Sequence, residues 1–105
     1  MPELLSDEEK GKALGRLQDW RLVEGSFERT LELADFPQAI QVVNRVAEIA
    51  ESLDHHPDID IRWRTLTFRC ITHSVNGLTE NDVTLAERID GVLADAAAGQ
   101  AASAG

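Results

Sequence analysis

The side chains best suited to proton transfer lie close together in this sequence. All three histidines fall within residues 51–73, and two of them, His55 and His56, are adjacent. Imidazole changes its protonation state near neutral pH, so it can serve as a general acid or a general base. Carboxylates flank the pair at Glu51 and Asp54. The residue types and their spacing therefore indicate a site for acid–base chemistry.

The residues alone leave three interpretations of these histidines open. The first is a proton-transfer site in which carboxylates support the imidazoles. The second is a metal site, because histidine with aspartate or glutamate can bind zinc, although the spacing matches no compact ligand motif. The third is structural, with histidines that cap the end of a helix.

The end of a predicted helix should bring the histidines together. Glu51 and His55 are four residues apart, which places them on one face of a helix. Pro57 disfavours helical geometry at His56, the residue before it, so the helix should end in a turn there. Both adjacent histidines could then line one pocket. His73 ends a predicted strand, and we expect it to approach the same pocket.

Three helices are predicted from their start signals. Each start carries an oxygen-bearing N-cap side chain followed three residues later by a side chain that can complete a capping box. The first helix should cover about residues 7–18, and the second should run to the turn at Pro57. The capping pairs are Ser6 with Glu9, Asp35 with Gln38, and Thr79 with Asp82. The third pair gives Asp82 a plain structural explanation.

The segments between the helices alternate in the manner of β-strands. Residues 20–24 and 27–33 are separated by Gly25 and Ser26, which predicts a hairpin. Residues 59–63 and 66–70 also alternate, and the phase slips between them, which predicts a second turn or a bulge. In this pattern Trp63 continues the apolar face of its strand and is expected in the core.

The element order is α-β-β-α-β-β-α, which predicts an α+β fold with two antiparallel hairpins covered on one face by helices. The 105 residues suffice for one domain, which we place at residues 1–95. Residues 96–105 contain only Ala, Gly, Ser and Gln, and we expect them to form a flexible tail.

Charge and composition exclude several classes of partner. A net charge of −9, from 19 acidic and 10 basic residues, repels phosphate backbones, so no direct nucleic-acid partner is expected. No apolar run approaches the roughly 18 residues of a membrane span. The acidic N-terminal segment lacks the basic region of a signal peptide. The single cysteine, Cys70, cannot form an internal disulfide, so we expect a cytoplasmic protein.

The histidine segment and the residues after it resemble the signature of the pterin-4a-carbinolamine dehydratases, also called 4a-hydroxytetrahydrobiopterin dehydratases. The signature runs Glu51-x-x-x-His55-His56-Pro57 and continues to Trp63, His73 and Asp82. The similarity covers roughly residues 14–94. Further landmarks are Trp20, Asp35-Phe36, Ala50-Glu51, Thr72-His73, Gly77-Leu78-Thr79 and Leu85-Ala86.

This resemblance implies a four-stranded antiparallel sheet with helices packed on one face, and assembly as a homodimer or homotetramer. It also implies dehydration of a 4a-hydroxytetrahydropterin to the quinonoid dihydropterin, which recycles tetrahydrobiopterin after an aromatic amino acid hydroxylase has used it. The elimination requires no metal, redox cofactor or covalent intermediate. The alternative is a non-catalytic dimerisation or scaffold protein on the same fold, because family members also serve as dimerisation partners.

The resemblance also assigns roles to individual residues. It implies that His55, His56 and His73 form the catalytic trio, but it does not assign the acid and the base. From the reaction chemistry we hypothesise that His56 or His55, at the helix end, is the acid and that His73 is the base. The remaining matching positions are expected to form the pterin-binding site, and the acidic ones among them are expected to have orienting roles. These positions are Glu51, Asp54, Pro57, Thr72, Ser74, Val75 and Asp82.

Overall fold

The structure is a computed structural model that describes residues 3–104, with side chains described up to Ala97. Within these residues the order of helices and strands is the predicted α-β-β-α-β-β-α. The helices are α1 (Asp7–Arg16), α2 (Phe36–Leu53) and α3 (Glu80–Ala104), and a short 3₁₀ helix covers His73–Val75. The strands are β1 (Arg21–Val23), β2 (Ser26–Glu32), β3 (Asp58–Arg62) and β4 (Thr65–Cys70).

The four strands form one antiparallel sheet in the order β1-β2-β4-β3. Along the central strand β4, Leu66, Phe68 and Cys70 are buried, whereas Arg69 between them is exposed. Since successive side chains of a strand point to opposite faces, the helices cover one face and leave the other open. The predicted α+β architecture is confirmed, and it places the end of β4 beside the ends of α2 and α3.

The first helix begins at the predicted capping box. Ser6 Oγ accepts a hydrogen bond from the Glu9 backbone N–H at 3.1 Å, and the Ser6 N–H donates to the Glu9 carboxylate at 2.8 Å. The latter bond lowers the pKa of Glu9. At the second helix, Asp35 accepts from the Gln38 N–H, but the Gln38 side chain accepts from Ala34 rather than from Asp35. That box is therefore displaced by one residue.

A charged cluster fixes α3 to the covered face of the sheet. Asp90 on α3 accepts hydrogen bonds from Arg29 of β2 at 2.6 Å and from the indole N–H of Trp20 at 2.7 Å. The Arg29 side chain is largely buried, so a partner is needed to offset the loss of its hydration. This contact holds the helix whose first turn carries Asp82.

The hairpin between β3 and β4 corrects one prediction. Arg62 pairs with Thr65, so Trp63 and Arg64 form a two-residue turn. Trp63 is 70% exposed and its φ is +56°, a left-handed conformation. The predicted turn is confirmed, but the expectation that Trp63 lies in the core is wrong. The strand ends one residue earlier than its apolar alternation, and the indole lies near the Arg64 guanidinium, 4.8 Å from the ring centroid.

The third helix continues to Ala104, so the backbone of most of the Ala- and Gly-rich segment is helical. The flexibility expected of residues 96–105 stays a prediction, and Gly105 lies outside the described residues. Across residues 3–104, no helix combines the length and the hydropathy that a membrane span requires.

Candidate functional site

The C-terminus of α2 is closed by a left-handed residue before the first histidine. Asp54 has φ +50°, and its N–H donates to the Glu51 carbonyl at 3.2 Å. The His55 N–H donates to the Ala50 carbonyl at 3.1 Å. These two bonds form a Schellman motif, which satisfies carbonyls at the helix end and turns the chain away from the helix axis. His55 therefore lies outside the helix, and the expectation that it shares a helical face with Glu51 is wrong.

The turn gives each of the adjacent histidines a different carboxylate. His56 Nε2 lies 2.6 Å from Glu51 Oε2, and both side chains are largely exposed, at 57% and 79%. His55 Nε2 lies 2.6 Å from Asp82 Oδ1, and here the side chains are 13% and 0% exposed. One imidazole–carboxylate pair is thus open to water, and the other is buried between α2 and α3.

Asp82 is a helix cap and the partner of His55 at the same time. Its Oδ2 accepts hydrogen bonds from the Thr79 backbone N–H at 2.9 Å and from the Thr72 hydroxyl at 2.7 Å. Thr79 Oγ accepts from the Asn81 N–H rather than from the Asp82 N–H, so only half of the predicted capping box is present. A capping role alone does not explain Asp82, because its other oxygen contacts His55.

The third histidine lies in a tight loop after β4. His73 is exposed and opens the 3₁₀ helix His73–Val75, which ends at Asn76 with φ +49°. Two backbone hydrogen bonds between Thr72 and Gly77, of 2.9 and 3.3 Å, close the base of this loop. The bridge fixes the position of His73 relative to Thr72, and hence relative to Asp82.

The turn after α2 and the segment after β4 line an open cleft of about 210 Å³. All three histidines line it, so the structure brings together the groups that the sequence singled out. Asp54, Thr72 and Ser74, which were expected to bind substrate, line it as well. The complete lining consists of Asp54, His55, His56, Ile71, Thr72, His73 and Ser74.

Four of the residues that were expected to bind substrate are not among the described side chains that line the cleft. Glu51 is linked to the cleft through His56, and Asp82 is linked to it through His55 and Thr72. Pro57 and Val75 are half-buried, and each follows a lining residue in the chain. Sequence reasoning missed Ile71, which lines the cleft just after β4 ends at Cys70. Alternation assigns no face to Ile71, because the residue lies beyond the strand.

Comparison with known proteins identifies the family. The family model described as pterin 4 alpha carbinolamine dehydratase matches residues 3–92. The chain belongs to this family. A relative from Nocardia farcinica is 54% identical over 88 residues, covering 84% of this chain and 93% of the relative. One from Mycobacterium avium is 49% identical over 90 residues, covering 86% and 96%. Both are named as candidate pterin-4-alpha-carbinolamine dehydratases.

Solved structures share the pterin carbinolamine dehydratase fold. A crystal structure of a transcriptional coactivator/pterin dehydratase from Brucella melitensis matches with a TM-score of 0.83 and 30% identity, covering 86% of this chain and 98% of that one. A pterin dehydratase-like protein described as a RuBisCO assembly factor in the alpha-carboxysome matches with a TM-score of 0.58. At 14% identity, over 70% of this chain and 84% of that one, the second match shows the fold alone.

Neither a metal-ligand cluster nor a reactive thiol is found in the described part of this family member. Within residues 3–104, no group of three or more His, Cys, Asp or Glu side chains converges as metal ligands would. Cys70 is fully buried on β4, and burial raises the pKa of its thiol. A thiol that stays protonated is a poor nucleophile. Cys70 is therefore a core residue of the dehydratase fold.

Substitutions at Asp54 should change stability in a defined order. Left-handed geometry costs a residue with a Cβ about 1–2 kcal/mol, and aspartate tolerates it better than alanine does. We expect Asp54→Gly to stabilise the protein by up to about 1 kcal/mol and Asp54→Ala to destabilise it by a similar amount. Guanidinium unfolding of the three proteins measures both effects. Equal stability of all three would contradict the left-handed conformation at this position.

Proposed function

We propose that this protein dehydrates a 4a-hydroxytetrahydropterin to the quinonoid dihydropterin by histidine general acid–base catalysis, within the recycling of tetrahydrobiopterin. The main support for this proposal is that three imidazoles line one open cleft and that two of them are paired with carboxylates. In the reaction the C4a–O bond breaks, N5 loses its proton, and a C4a=N5 double bond forms as water leaves. One proton donor and one proton acceptor must therefore reach neighbouring atoms of the substrate.

The positions of the histidines support the roles that we propose for them. His56 or His55, at the end of α2, donates a proton to the departing hydroxyl, and His73, across the cleft, accepts the proton from N5. His56 and His73 are exposed enough to exchange protons with water between turnovers. Positioned acids and bases accelerate reactions by roughly 10²–10⁴-fold, so these groups are sufficient for an easy elimination.

The rim of the cleft supplies groups that suit a pterin ring. The aminopyrimidinone ring carries N–H donors, and Asp54 at the rim is an exposed carboxylate that can accept from them. Ser74 adds a hydroxyl that can donate or accept. We place the pterin against these side chains, with its reacting N5–C4a bond towards the three histidines.

The second candidate function is a non-catalytic dimerisation or scaffold protein on the same fold. The Brucella melitensis protein is described as a transcriptional coactivator as well as a pterin dehydratase. That description supports a second candidate in which the fold binds another protein. A scaffold protein would not need the His55–Asp82 pair, whose side chains are largely buried. Because burying charged groups costs free energy, such a pair favours a catalytic role. We therefore favour the enzyme, acting as a cytoplasmic homodimer or homotetramer.

The deciding experiment is stopped-flow absorbance of 4a-hydroxytetrahydropterin decay in the presence of the purified protein. We expect saturable acceleration with a bell-shaped dependence on pH, because the reaction needs one protonated and one unprotonated group. Free imidazole at the same total histidine concentration is the control for simple buffer catalysis. Decay no faster than in that control would reject the dehydratase and favour the scaffold.

A further inference from the structure

We propose that Thr79, Thr72 and Asp82 form a directed hydrogen-bond relay that fixes the tautomer of His55 and leaves its Nδ1 for the cleft. Asp82 and Thr72 then act as positioning residues rather than as side chains that bind the pterin. The effect of the relay on rate rests on the proposed function, whereas the tautomer itself does not and is measured without turnover.

The direction of each hydrogen bond follows from counting protons. A hydroxyl has one proton to donate, whereas a carboxylate only accepts. The Thr72 hydroxyl donates its one hydrogen bond to Asp82 Oδ2, 2.7 Å away. The contact of 2.8 Å between the two threonine hydroxyls must then be donated by Thr79. Thr79 Oγ in turn accepts from the Asn81 N–H at 3.2 Å, so each hydroxyl donates once and accepts once.

The relay leaves one oxygen of Asp82 for the histidine. Oδ2 accepts from the Thr72 hydroxyl and from the Thr79 N–H, and Oδ1 faces His55 Nε2 at 2.6 Å. Because the carboxylate cannot donate, the proton between them belongs to Nε2. Asp82 is fully buried, so no water competes for these bonds and the low local polarity strengthens them. Nδ1 is the ring nitrogen that remains for a ligand in the cleft.

Asp82→Asn tests the relay because the threonines dictate how the amide must lie. Its carbonyl oxygen has to face the two donors, the Thr72 hydroxyl and the Thr79 N–H. Its NH₂ group then faces His55, whose Nε2 must accept, so the ring proton moves to Nδ1. Nδ1 can neither accept a proton nor release one without leaving an anionic ring. Proton transfer at His55 is blocked whether it serves as acid or as base.

Long-range ¹H–¹⁵N spectra of the imidazole rings report the tautomer directly, at a pH where the spectra show neutral rings. We expect His55 to carry its proton on Nε2 in the wild type and on Nδ1 in Asp82→Asn. With His55 rather than His56 as the proton donor, kcat for dehydration should also fall at least about tenfold with a smaller change in KM, since an imidazole in the wrong tautomer cannot transfer its proton.

Thr67→Val is a control that removes a threonine hydroxyl pair outside the relay. Thr67 and Thr30 make a contact of 2.9 Å like that of the relay, but on the open face of the sheet. This variant should keep both the His55 tautomer and the wild-type kcat. Substituting the relay's own threonine as Thr72→Ser should also keep the tautomer, because the donor to Asp82 remains.

The possible outcomes separate the relay from the proposed function. A wild-type His55 protonated on Nδ1 would overturn the relay even if Asp82→Asn failed to fold. An unchanged tautomer in a folded Asp82→Asn protein would overturn it as well. The expected tautomers in a protein that does not accelerate dehydration would support the relay and reject the dehydratase.

Discussion

Replacing His56 with alanine should lower kcat for dehydration by roughly 10²–10⁴-fold, the range that a positioned acid or base contributes. The same change should leave stability almost unaffected. His56 and its partner Glu51 are 57% and 79% exposed, and exposed ion pairs contribute only about 0–1 kcal/mol. Stopped-flow decay of the hydroxypterin and guanidinium unfolding, measured on the same preparation, separate the two effects.

Addition of free imidazole tests whether the lost group was a proton carrier. The side chain of His56 lies at an open cleft, so a small base can enter the space that alanine leaves. We expect imidazole to restore part of the rate in His56→Ala and to add little to Lys12→Gln, a control on the exposed surface of α1. Lost stability with full activity would instead support the structural interpretation of the histidine as a helix-end residue.

The sequence predicted which residues meet at the cleft but not how they pair. Proline and helix-end rules placed both adjacent histidines in a turn, and the structure brings them to one cleft with His73. The spacing of four residues indicated that Glu51 and His55 share one face of the helix. That inference assumed that the helix continues to His55. The left-handed Asp54 ends the helix first, and Glu51 contacts His56 instead.

Asp82 shows why the rest could not be predicted from the local sequence. Its position three residues after Thr79 fully accounts for a helix cap, and the structure keeps that hydrogen bond. The contact with His55 joins residues 27 positions apart. It depends on how α2, β4 and α3 come together, which no local pattern encodes. The helix-cap explanation of Asp82 was therefore correct, but it did not include the contact with His55.

The fold itself was largely predictable because alternation and capping are local signals. The same alternation failed at Trp63, since a period of two gives the face of a residue only while the strand continues. The chain turns at Trp63, and the positive φ there is uncommon for an aromatic residue. Phe68 continues the pattern on β4 and is fully buried.

Phe68→Ala and Trp63→Ala should therefore differ greatly in their effect on stability. Removing the buried Phe68 ring leaves a cavity and should cost about 3–5 kcal/mol, a large part of the roughly 5–15 kcal/mol that stabilises a typical domain. Trp63→Ala should cost only about 0.5–1 kcal/mol, the value of an exposed contact between an aromatic ring and a guanidinium.

Denaturant unfolding of both variants, at protein concentrations spread over two decades, distinguishes a core position from an interface. For Phe68→Ala we expect the loss at every concentration, because the ring lies inside the subunit. A comparable loss for Trp63→Ala that disappears on dilution would mean that a second copy covers the indole. A loss independent of concentration would mean that the ring is buried within its own chain, contrary to its 70% exposure.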